Sequence, residues 1–227
     1  YKAKDIRSFY YKWFSPETMS LIVVGDVHVN TFETKVKSLF QALPKFLGES
    51  SERHLTLKGH EEPIVSVVSD KEGTQSSLSI RFTTNSLPEN LRSTAVPYVE
   101  EYITCMIEMF LTERLARVSQ EEESKFFVRD VTFGRIMGGT ANDELKIDLL
   151  LSSDDVAGVL EAVLRELYGL RKNGVSNGDF ERLQGQFFKD INHQYDWRIL
   201  TPNEIYARRA MDNFLYGTSL ASIEMKK

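Results

Sequence analysis

Histidine side chains are the first place to look for chemistry in this sequence, because imidazole binds metals and transfers protons near neutral pH. The chain has four, and Glu61 and Glu62 directly follow the third: His28, His54, His60 and His193. A zinc site needs about three protein ligands that converge on one point. The spacings His-x-x-Glu-His and His-Glu-x-x-His occur at none of the four. Histidines in polar loops are usually solvated, so we predict neither a metal site nor a catalytic histidine.

The other reactive or ligand-like groups have simpler structural explanations. Cys105 lies inside a long apolar stretch and is typical of a small core residue. Consecutive carboxylates at Glu121–Glu123 are typical of a solvated loop. Gly138-Gly139-Thr140 lacks the Gly-Lys-Ser/Thr ending of a phosphate-binding loop and favours a hairpin turn. The sequence therefore names no catalytic and no substrate-binding residue.

Composition places the chain among ordinary globular proteins. Its 227 residues include 28 Lys and Arg against 33 Asp and Glu, with a net charge of −5 and a pI near 5.5, which disfavours a nucleic-acid binder. A single cysteine excludes an intrachain disulfide and a multi-thiolate zinc site. No apolar run approaches the ~20 residues of a membrane span. The chain starts at Tyr1 without a methionine or a signal-peptide pattern, so we expect it to be cut from a longer polypeptide.

Apolar spacing predicts strands that arrive in pairs, with helices between and after them. Strand composition covers residues 19–25, 64–69, 76–84, 126–133 and 145–151. The link at 70–74 contains Gly73 and favours a hairpin between the second and third of these strands. Helical spacing covers residues 5–14, 30–43, 96–118 and 202–214, with two more helices between 152 and 195. Paired strands favour an α+β two-layer fold over a doubly wound parallel sheet.

Capping residues and apolar faces predict how the helices pack. Ser152 with Asp155 begins one helix, which ends at Gly174, and Ser176 with Asp179 begins the next. We expect their inward faces to form a core on the sheet, made of Val159, Leu160, Val163, Phe180, Leu183, Phe187 and Ile191. The long central helix adds the stripe Val99, Ile103, Met106, Phe110 and Leu111. In the first helix we expect the aromatic cluster to be buried on one face: Phe9, Tyr10, Tyr11 and Trp13.

The segment from Ile6 to Val27, IRSFYYKWFSPETMSLIVVGDV, closely resembles a junction of the pitrilysin-type zinc peptidases. This inverzincin family includes insulysin and the mitochondrial processing peptidase. Leu111–Leu115, Gly174–Leu183 and Tyr195–Arg198 resemble later segments of the same family, in the same order. In these enzymes the junction leads from the domain that bears the zinc site into the next domain. The resemblance covers nearly the whole chain.

The resemblance implies a fold and a position in a larger enzyme. The fold would be α+β and two-layered, with a mixed or antiparallel sheet of five or six strands and helices on one face. Metallohydrolase domains of the LuxS and mitochondrial processing peptidase type have this architecture. Residues 1–18 would be a linker helix from an upstream domain, and residues 19–227 a single non-catalytic domain. Zinc is expected in that upstream domain, because the His-x-x-Glu-His motif is absent here.

Three functional hypotheses remain. In the first, the chain is a domain of a bacterial zinc metallopeptidase, inactive alone, that helps form the substrate chamber and positions peptide. Its partners would be the upstream zinc-bearing domain, the downstream half of the polypeptide and a peptide substrate, without nucleic acid, membrane span or a cofactor of its own. In the second, it is a catalytically inactive relative that acts as a binding or assembly subunit. In the third, it is an unrelated enzyme that uses His54, His60 and Glu61–Glu62. The bacterial periplasm or cell envelope is favoured over the cytoplasm.

Overall fold

The structure, a computed structural model, describes residues 2–14, 19–43, 60–121, 125–136, 142–220 and 222–226. The chain divides into two units. The smaller unit combines Tyr1–Arg53 with Asp196–Ser222, and the larger one combines His54–Tyr195 with Ile223–Lys227. Within the described ranges, no helix combines the length and apolar character needed to cross a membrane.

Three antiparallel strands form the sheet of the larger unit. They are β1 (Ser76–Asn85), β2 (Phe126–Arg135) and β3 (Asn142–Leu151), and β3 lies in the middle. In the register, Ile147 of β3 lies opposite Ile80 on one side and Val131 on the other. β2 contains a bulge between Val128 and Asp130, so that Arg129 has no opposite residue in β3. The described residues thus contain three of the five or six strands expected.

Helices cover one face of this sheet. The larger unit contains α3 (Glu89–Arg92), α4 (Val96–Glu121), α5 (Val156–Asn173), α6 (Asn177–Asp196) and α8 (Ile223–Lys226). Because side chains alternate across a strand, one face of each strand can be apolar throughout. That face packs against α4 and α5 in a single buried cluster: Leu111, Leu115, Val118, Phe126, Val131, Ile147, Leu149, Leu151, Val159, Ala162 and Val163. The prediction of an α+β fold is confirmed.

The predicted capping residues begin and end the helices of the larger unit, except that Asp155 and not Ser152 is the N-cap of α5. The Asp155 carboxylate accepts the backbone N–H of Gly158 at 3.0 Å at the start of α5. Gly174 ends α5 with φ of +70°, a conformation that costs glycine little. At the start of α6, the Ser176 hydroxyl accepts the backbone N–H of Asp179 at 3.1 Å and donates to the Asp179 carboxylate at 2.8 Å. These local signals were sufficient because each cap satisfies helix-end groups within a few residues.

The smaller unit is helical in its described part. It contains α1 (Ala3–Trp13), α2 (Val29–Phe40), a 3₁₀ turn (Arg198–Leu200) and α7 (Asn203–Tyr216). α2 starts at Val29, one residue before the predicted start, and its last residue is Phe40 rather than residue 43. The prediction of a buried strand at residues 19–25 is wrong, because this segment has no strand pairing and its side chains are exposed or half-buried. Its apolar composition favours a strand, but a strand also needs a neighbouring backbone with which to pair.

Several predicted core positions are solvent-exposed. Residues 64–69 form no strand, and the aromatic residues of α1 are 38–69% exposed. In the larger unit, Val99, Ile103 and Phe180 are exposed and Phe187 is half-buried, whereas Leu183 and Ile191 are buried as predicted. Helical spacing identifies an apolar face, but burial depends on what packs against that face.

Candidate functional site

The three histidines that the structure describes do not form a metal site. His54 lies outside the described residues. The ring Nδ1 of His60 lies 2.8 Å from the Glu62 backbone oxygen, and that of His28 lies 3.1 Å from the Thr31 hydroxyl at the start of α2. His193 is exposed near the end of α6. Among the residues that the structure describes, no group of three His, Cys, Asp or Glu side chains is placed to hold a metal ion.

Cys105 lies on α4 in a setting that disfavours a nucleophilic thiolate. The thiol is partly buried, and its Sγ lies 3.9 Å from the sulfur of Met109. Burial raises the pKa of the Cys105 thiol, and the carboxylates of Glu108, Glu101 and Asp190 raise it further. A thiol activated for catalysis needs the opposite shift. The predicted structural role of this cysteine therefore agrees with its surroundings.

Two carboxylates of α4 also have raised pKa values. Burial is the main cause of the raised pKa of Glu108, whose carboxylate accepts the backbone N–H of Phe133 in β2. Burial also raises the pKa of Glu100, with a smaller contribution from Asp143 and an opposing one from Arg135. The hydrogen bond of Glu108 joins α4 to β2. The potential nucleophile near Glu108 is the Cys105 thiol, and the Glu108 carboxylate raises the pKa of that thiol instead of activating it. The environment of the two carboxylates explains a pH dependence of stability better than acid–base catalysis.

The face of the sheet turned away from α4 is polar, and it is called the open face below. Its side chains alternate with those of the core along each strand: Ser77, Ser79, Arg81, Thr83, Phe127, Asp130, Thr132, Glu144, Lys146, Asp148 and Leu150. Apart from Phe127 and Leu150, which lie opposite each other near one end, every member is a hydroxyl or a charge. Such a surface can form hydrogen bonds and ion pairs with a ligand but contains no apolar pocket.

Four of the five charged side chains on the open face, those of Arg81, Glu144, Lys146 and Asp148, are paired with each other. The Ser79 hydroxyl donates to Asp148 at 2.7 Å, and Lys146 Nζ lies 2.9 Å from the same carboxylate. Arg81 lies 3.7 Å from the Glu144 carboxylate, and its Nε donates to the Ser79 hydroxyl at 3.4 Å. Burial raises the pKa of Asp148, but its hydrogen bonds with Lys146 and Ser79 outweigh burial and hold the pKa below its usual range. The network orders the side chains of β1 and β3 on this face.

A polar cleft adjoins one end of β1 and β3. It has a volume of about 590 Å³ and is formed by Thr74, Gln75, Ser76, Leu151, Ser152, Ser153 and Asp154. The Ser153 hydroxyl accepts the backbone N–H of Asp155 at 3.1 Å, so part of this lining is used to begin α5. The cleft contains hydroxyl and amide groups but no histidine, cysteine or lysine. The Asp154 carboxylate is the lining group that could act as a base, and the hydroxyls beside it are weak nucleophiles without a histidine or lysine in the lining.

Ion pairs connect α4 to α5 and α6. Arg114 of α4 lies 2.5 Å from Glu166 of α5, and Arg182 of α6 donates to both oxygens of Glu113 at 2.9 and 2.5 Å. The hydrogen bond from Arg182 holds the pKa of Glu113 below its usual range. Exposed pairs contribute about 0–1 kcal/mol each, so they orient these helices more than they stabilise them.

Comparison with known proteins decides the family. A family model described as "Peptidase M16 inactive domain" matches residues 1–187. The chain belongs to the M16 peptidase inactive-domain family. The same region contains the Ile6–Val27 segment on which the sequence resemblance rested. An M16 inactive domain agrees with the lack of a metal-ligand group in the described residues.

Relatives of this M16 domain are longer proteins. Protein YhjJ of Salmonella typhimurium (strain LT2) is 27% identical over 212 residues, which cover 92% of this chain and 41% of that protein. Protein YhjJ of Salmonella typhi matches with the same identity and coverage. The chain thus spans less than half of the length of these curated relatives.

Solved structures show the same fold. A predicted insulinase family protease from Yersinia pestis superposes with a TM-score of 0.72 at 20% identity, covering 98% of this chain and 47% of that one. The periplasmic protease PqqL from Escherichia coli superposes with a TM-score of 0.70 at 17% identity, covering 99% of this chain and 24% of that one. Insulinase-family proteases therefore contain domains of this fold.

Sequence reasoning missed the open face as a candidate surface. The signal was present in the alternation of Ser79, Arg81 and Thr83 with Leu78 and Ile80 in β1. Motifs of histidine, cysteine and glycine do not detect a surface that consists of hydroxyls and paired charges. Glu121 ends α4, whereas Glu122, Glu123 and the Gly138–Thr140 motif lie outside the described residues.

Proposed function

We propose that this M16 domain is a non-catalytic part of a bacterial zinc metallopeptidase, where it helps form the substrate chamber and positions peptide for a zinc site on another domain. The observation that carries the proposal is the two-sided sheet of the larger unit. One face is closed by α4 and α5 around a buried core, and the other presents ordered hydroxyls and paired charges. A fold with a polar face, and without a metal-ligand group among the described residues, suits a positioning role.

Zinc does not fit the described residues of this chain. A catalytic zinc site needs about three converging protein ligands, and no such group is present in the described ranges. We therefore expect the metal, which would activate the nucleophilic water, in an upstream domain of the longer protein. The coverage of the relatives, 41% of YhjJ and 47% of the Yersinia pestis protein, leaves room for such a domain.

The open face suits contact with an extended peptide. Its hydroxyls at Ser77, Thr83 and Thr132 can donate to or accept from peptide groups, while Arg81 and Lys146 can exchange their present carboxylate partners for those of a substrate. Contacts away from the reacting bond raise the rate by orienting the substrate, and small displacements can cost ~100-fold.

Exposed apolar side chains on α1 support contact with a neighbouring domain of the same polypeptide. Phe9 and Trp13 lie with ring centroids 6.2 Å apart, and Tyr10 stacks on Phe14 at 5.1 Å. All four rings are more than a third exposed. Contiguous apolar surface of this kind is typical of protein interfaces, so we assign it to the junction with the upstream zinc-bearing domain. The downstream half of the polypeptide would supply the opposite wall of the chamber.

The proposed compartment is the bacterial periplasm. The support is the description of PqqL, a structural neighbour, as a periplasmic protease. The single partly buried cysteine is compatible with an oxidising compartment, because it has no second thiol in the sequence with which to form an intrachain disulfide.

The proposal is tested in the full-length parent protein with the double variant Arg81→Gln/Lys146→Gln on the open face. We expect kcat/KM for unfolded peptides to fall about tenfold or more, with unchanged zinc content. The matched control is Arg165→Gln on α5, where the removed charge pairs with Glu161 at 3.0 Å on an exposed helix surface. The control should keep full activity.

Two results would contradict this proposal in different ways. Full activity of the double variant would exclude the open face from substrate positioning. A parent that binds no zinc and cleaves no peptide, yet forms a stable complex through this domain, would instead support the role of a binding or assembly subunit.

A further inference from the structure

The dipeptide Asn-Gly occurs twice where α5 ends and α6 begins, as Asn173-Gly174 and as Asn177-Gly178. All four residues are exposed to solvent. In an Asn-Gly dipeptide the asparagine side chain reacts readily with the backbone that follows it, because glycine has no side chain to shield its amide nitrogen. The two dipeptides have the same composition but lie at opposite helix ends, so the structure gives them different surroundings.

The reaction is a ring closure followed by hydrolysis. The backbone nitrogen of the glycine loses its proton to solvent and attacks the side-chain carbonyl carbon of the asparagine, so that a C–N bond forms. The side-chain amide nitrogen takes up a proton and leaves as ammonia, and the product is a succinimide. Water then adds to one of the two ring carbonyls and opens the ring to aspartate or to isoaspartate. Water is the co-reactant, and nothing is oxidised or reduced.

The attacking nitrogen differs between the two dipeptides. The backbone N–H of Gly174 donates to the carbonyl oxygen of Leu170 at 2.8 Å, so this hydrogen bond must break before the nitrogen can attack. The backbone N–H of Gly178 lies in the first turn of α6, where N–H groups have no intrahelical acceptor. No group among the described residues accepts it. The Gly178 nitrogen is therefore the one that can react without first losing a hydrogen bond.

The helix dipoles also have opposite effects on the loss of the proton. α6 begins at Asn177, so the positive end of its dipole stabilises the negative charge that the Gly178 nitrogen acquires. α5 ends at Asn173, and the negative end of its dipole opposes the same charge on the Gly174 nitrogen. Hydrogen bonding and helix dipoles thus both favour reaction at Asn177.

The cap at the start of α6 opposes this reaction. Ring closure needs the main chain at Asn177 to rotate out of its helical conformation, which separates Ser176 from the residues that it caps. The Ser176 hydroxyl accepts the backbone N–H of Asp179 at 3.1 Å, and the Ser176 carbonyl oxygen accepts that of Phe180 at 2.9 Å. The rate at Asn177 therefore depends on how often the first turn of α6 opens, and helix ends open at a low cost in free energy.

We propose that Asn177 is a site of spontaneous deamidation whose rate is limited by the Ser176 cap, and that Asn173 reacts more slowly despite its identical neighbour. Aspartate at position 177 adds a negative charge two residues before Asp179. Isoaspartate also lengthens the main chain within the capped turn, which removes the spacing that lets Ser176 bond to Asp179. This inference does not depend on the proposed peptidase role.

Peptide mapping of the folded chain by mass spectrometry, after incubation at neutral pH, measures both dipeptides in the same sample. Chromatography separates the asparaginyl, aspartyl and isoaspartyl peptides. The Gly174 hydrogen bond and the opposite dipole ends each correspond to about two- to tenfold in rate, and the cap offsets part of this, so we expect conversion at Asn177 to be about threefold faster or more. In urea, which removes both helices, the two rates should become similar.

Two variants test the mechanism at Asn177. Gly178→Ala shields the attacking nitrogen, and it should slow conversion at Asn177 severalfold without disturbing α6, because a Cβ at this position meets nothing within 4 Å. Ser176→Ala removes the cap and should raise the rate about fivefold, the factor that corresponds to the ~1 kcal/mol of a typical N-cap. The matched control is Ser153→Ala, which removes the hydroxyl that accepts the Asp155 N–H near the start of α5. It should leave the rate at Asn177 unchanged.

The comparison within the unmodified chain needs no variant, so the proposal can be refuted even if a variant fails to fold. Equal rates at the two dipeptides of the folded chain, or faster conversion at Asn173, would overturn it. A wild-type rate at Asn177 in Ser176→Ala, with a circular dichroism spectrum that shows intact helices, would overturn the role of the cap.

Discussion

Phe126 and Phe127 are consecutive residues of β2 with opposite environments, and they provide a direct test of how the sheet is oriented. Phe126 is 0% exposed and belongs to the core cluster, whereas Phe127 is 52% exposed on the open face. The backbone oxygen of Phe126 also accepts the Ser119 hydroxyl, which connects β2 to α4. Replacing each phenylalanine by alanine changes the same atoms in the same strand, so the difference isolates burial.

The expected magnitudes follow from the two environments. Truncation of Phe126 loses about 1.5–3 kcal/mol of transfer free energy and leaves a cavity that the neighbouring side chains fill only in part. We expect Phe126→Ala to lower the free energy of unfolding by about 3–5 kcal/mol. Phe127→Ala should cost about 1 kcal/mol, because roughly half of the side chain is already in water and no cavity forms.

Urea unfolding followed by circular dichroism measures both values. The dependence of the unfolding free energy on urea should stay the same in the two variants, since both unfold the same core. Equal losses for the two variants, or a larger loss for Phe127→Ala, would refute the assignment of the faces. Loss of the urea transition in Phe126→Ala alone would agree with it, because the predicted loss is a large part of the stability of an ordinary domain.

Three further predictions concern pH, thiol reactivity and metal. Burial raises the pKa of Glu108 in the folded protein above its unfolded value of about 4.3. The protonated Glu108 side chain therefore contributes fully to the stability of the fold below pH ~4.3, and this contribution is lost as the pH rises through the folded-state pKa. Glu108→Gln keeps an acceptor for the Phe133 N–H, and it should therefore be more stable relative to wild type at pH 7 than at pH 4. The exposed control Glu181→Gln should show no such change. Parallel curves of unfolding free energy against pH for Glu108→Gln and wild type would contradict this prediction. Cys105 should react with iodoacetamide at pH 7.5 more slowly in the folded protein than in urea, because burial raises its pKa, and equal rates would show an accessible thiolate. After dialysis of the chain against a mild chelator, atomic absorption should detect no stoichiometric zinc. Stoichiometric zinc retained by the chain would contradict the proposed non-catalytic role.

Local sequence signals predicted the parts of the fold whose causes are themselves local. Ser176 begins α6 and Gly174 ends α5 as expected, and α5 begins at Asp155 rather than at Ser152, three residues from the predicted cap, because a cap involves only neighbouring residues. Strands β1, β2 and β3 were located to within a few residues.

The features that sequence reasoning missed depend on distant partners. Val99 and Ile103 have the same helical spacing as the buried Leu111 and Leu115, yet only the latter pair lies against the sheet. For the same reason, the strand composition of residues 64–69 could not show whether another strand lies beside them. The open face was also hidden, because the contacts of Arg81 with Glu144 and of Ser79 with Asp148 join residues more than 60 positions apart.

The bulge at Arg129 affects how the strand tolerates changes in length. Phe126 and Val128 before it and Val131 and Phe133 after it all point toward the helices, although the first two have even numbers and the last two odd numbers. Arg129 therefore acts as a spacer that resets the alternation halfway along β2. A chain without Arg129 would alternate regularly and keep each of these four side chains on its present face. Elsewhere in the sheet, the loss of one residue would move the side chains that follow it to the opposite face. The loss of Arg129 would leave the same side chains on the core face and the same side chains on the open face.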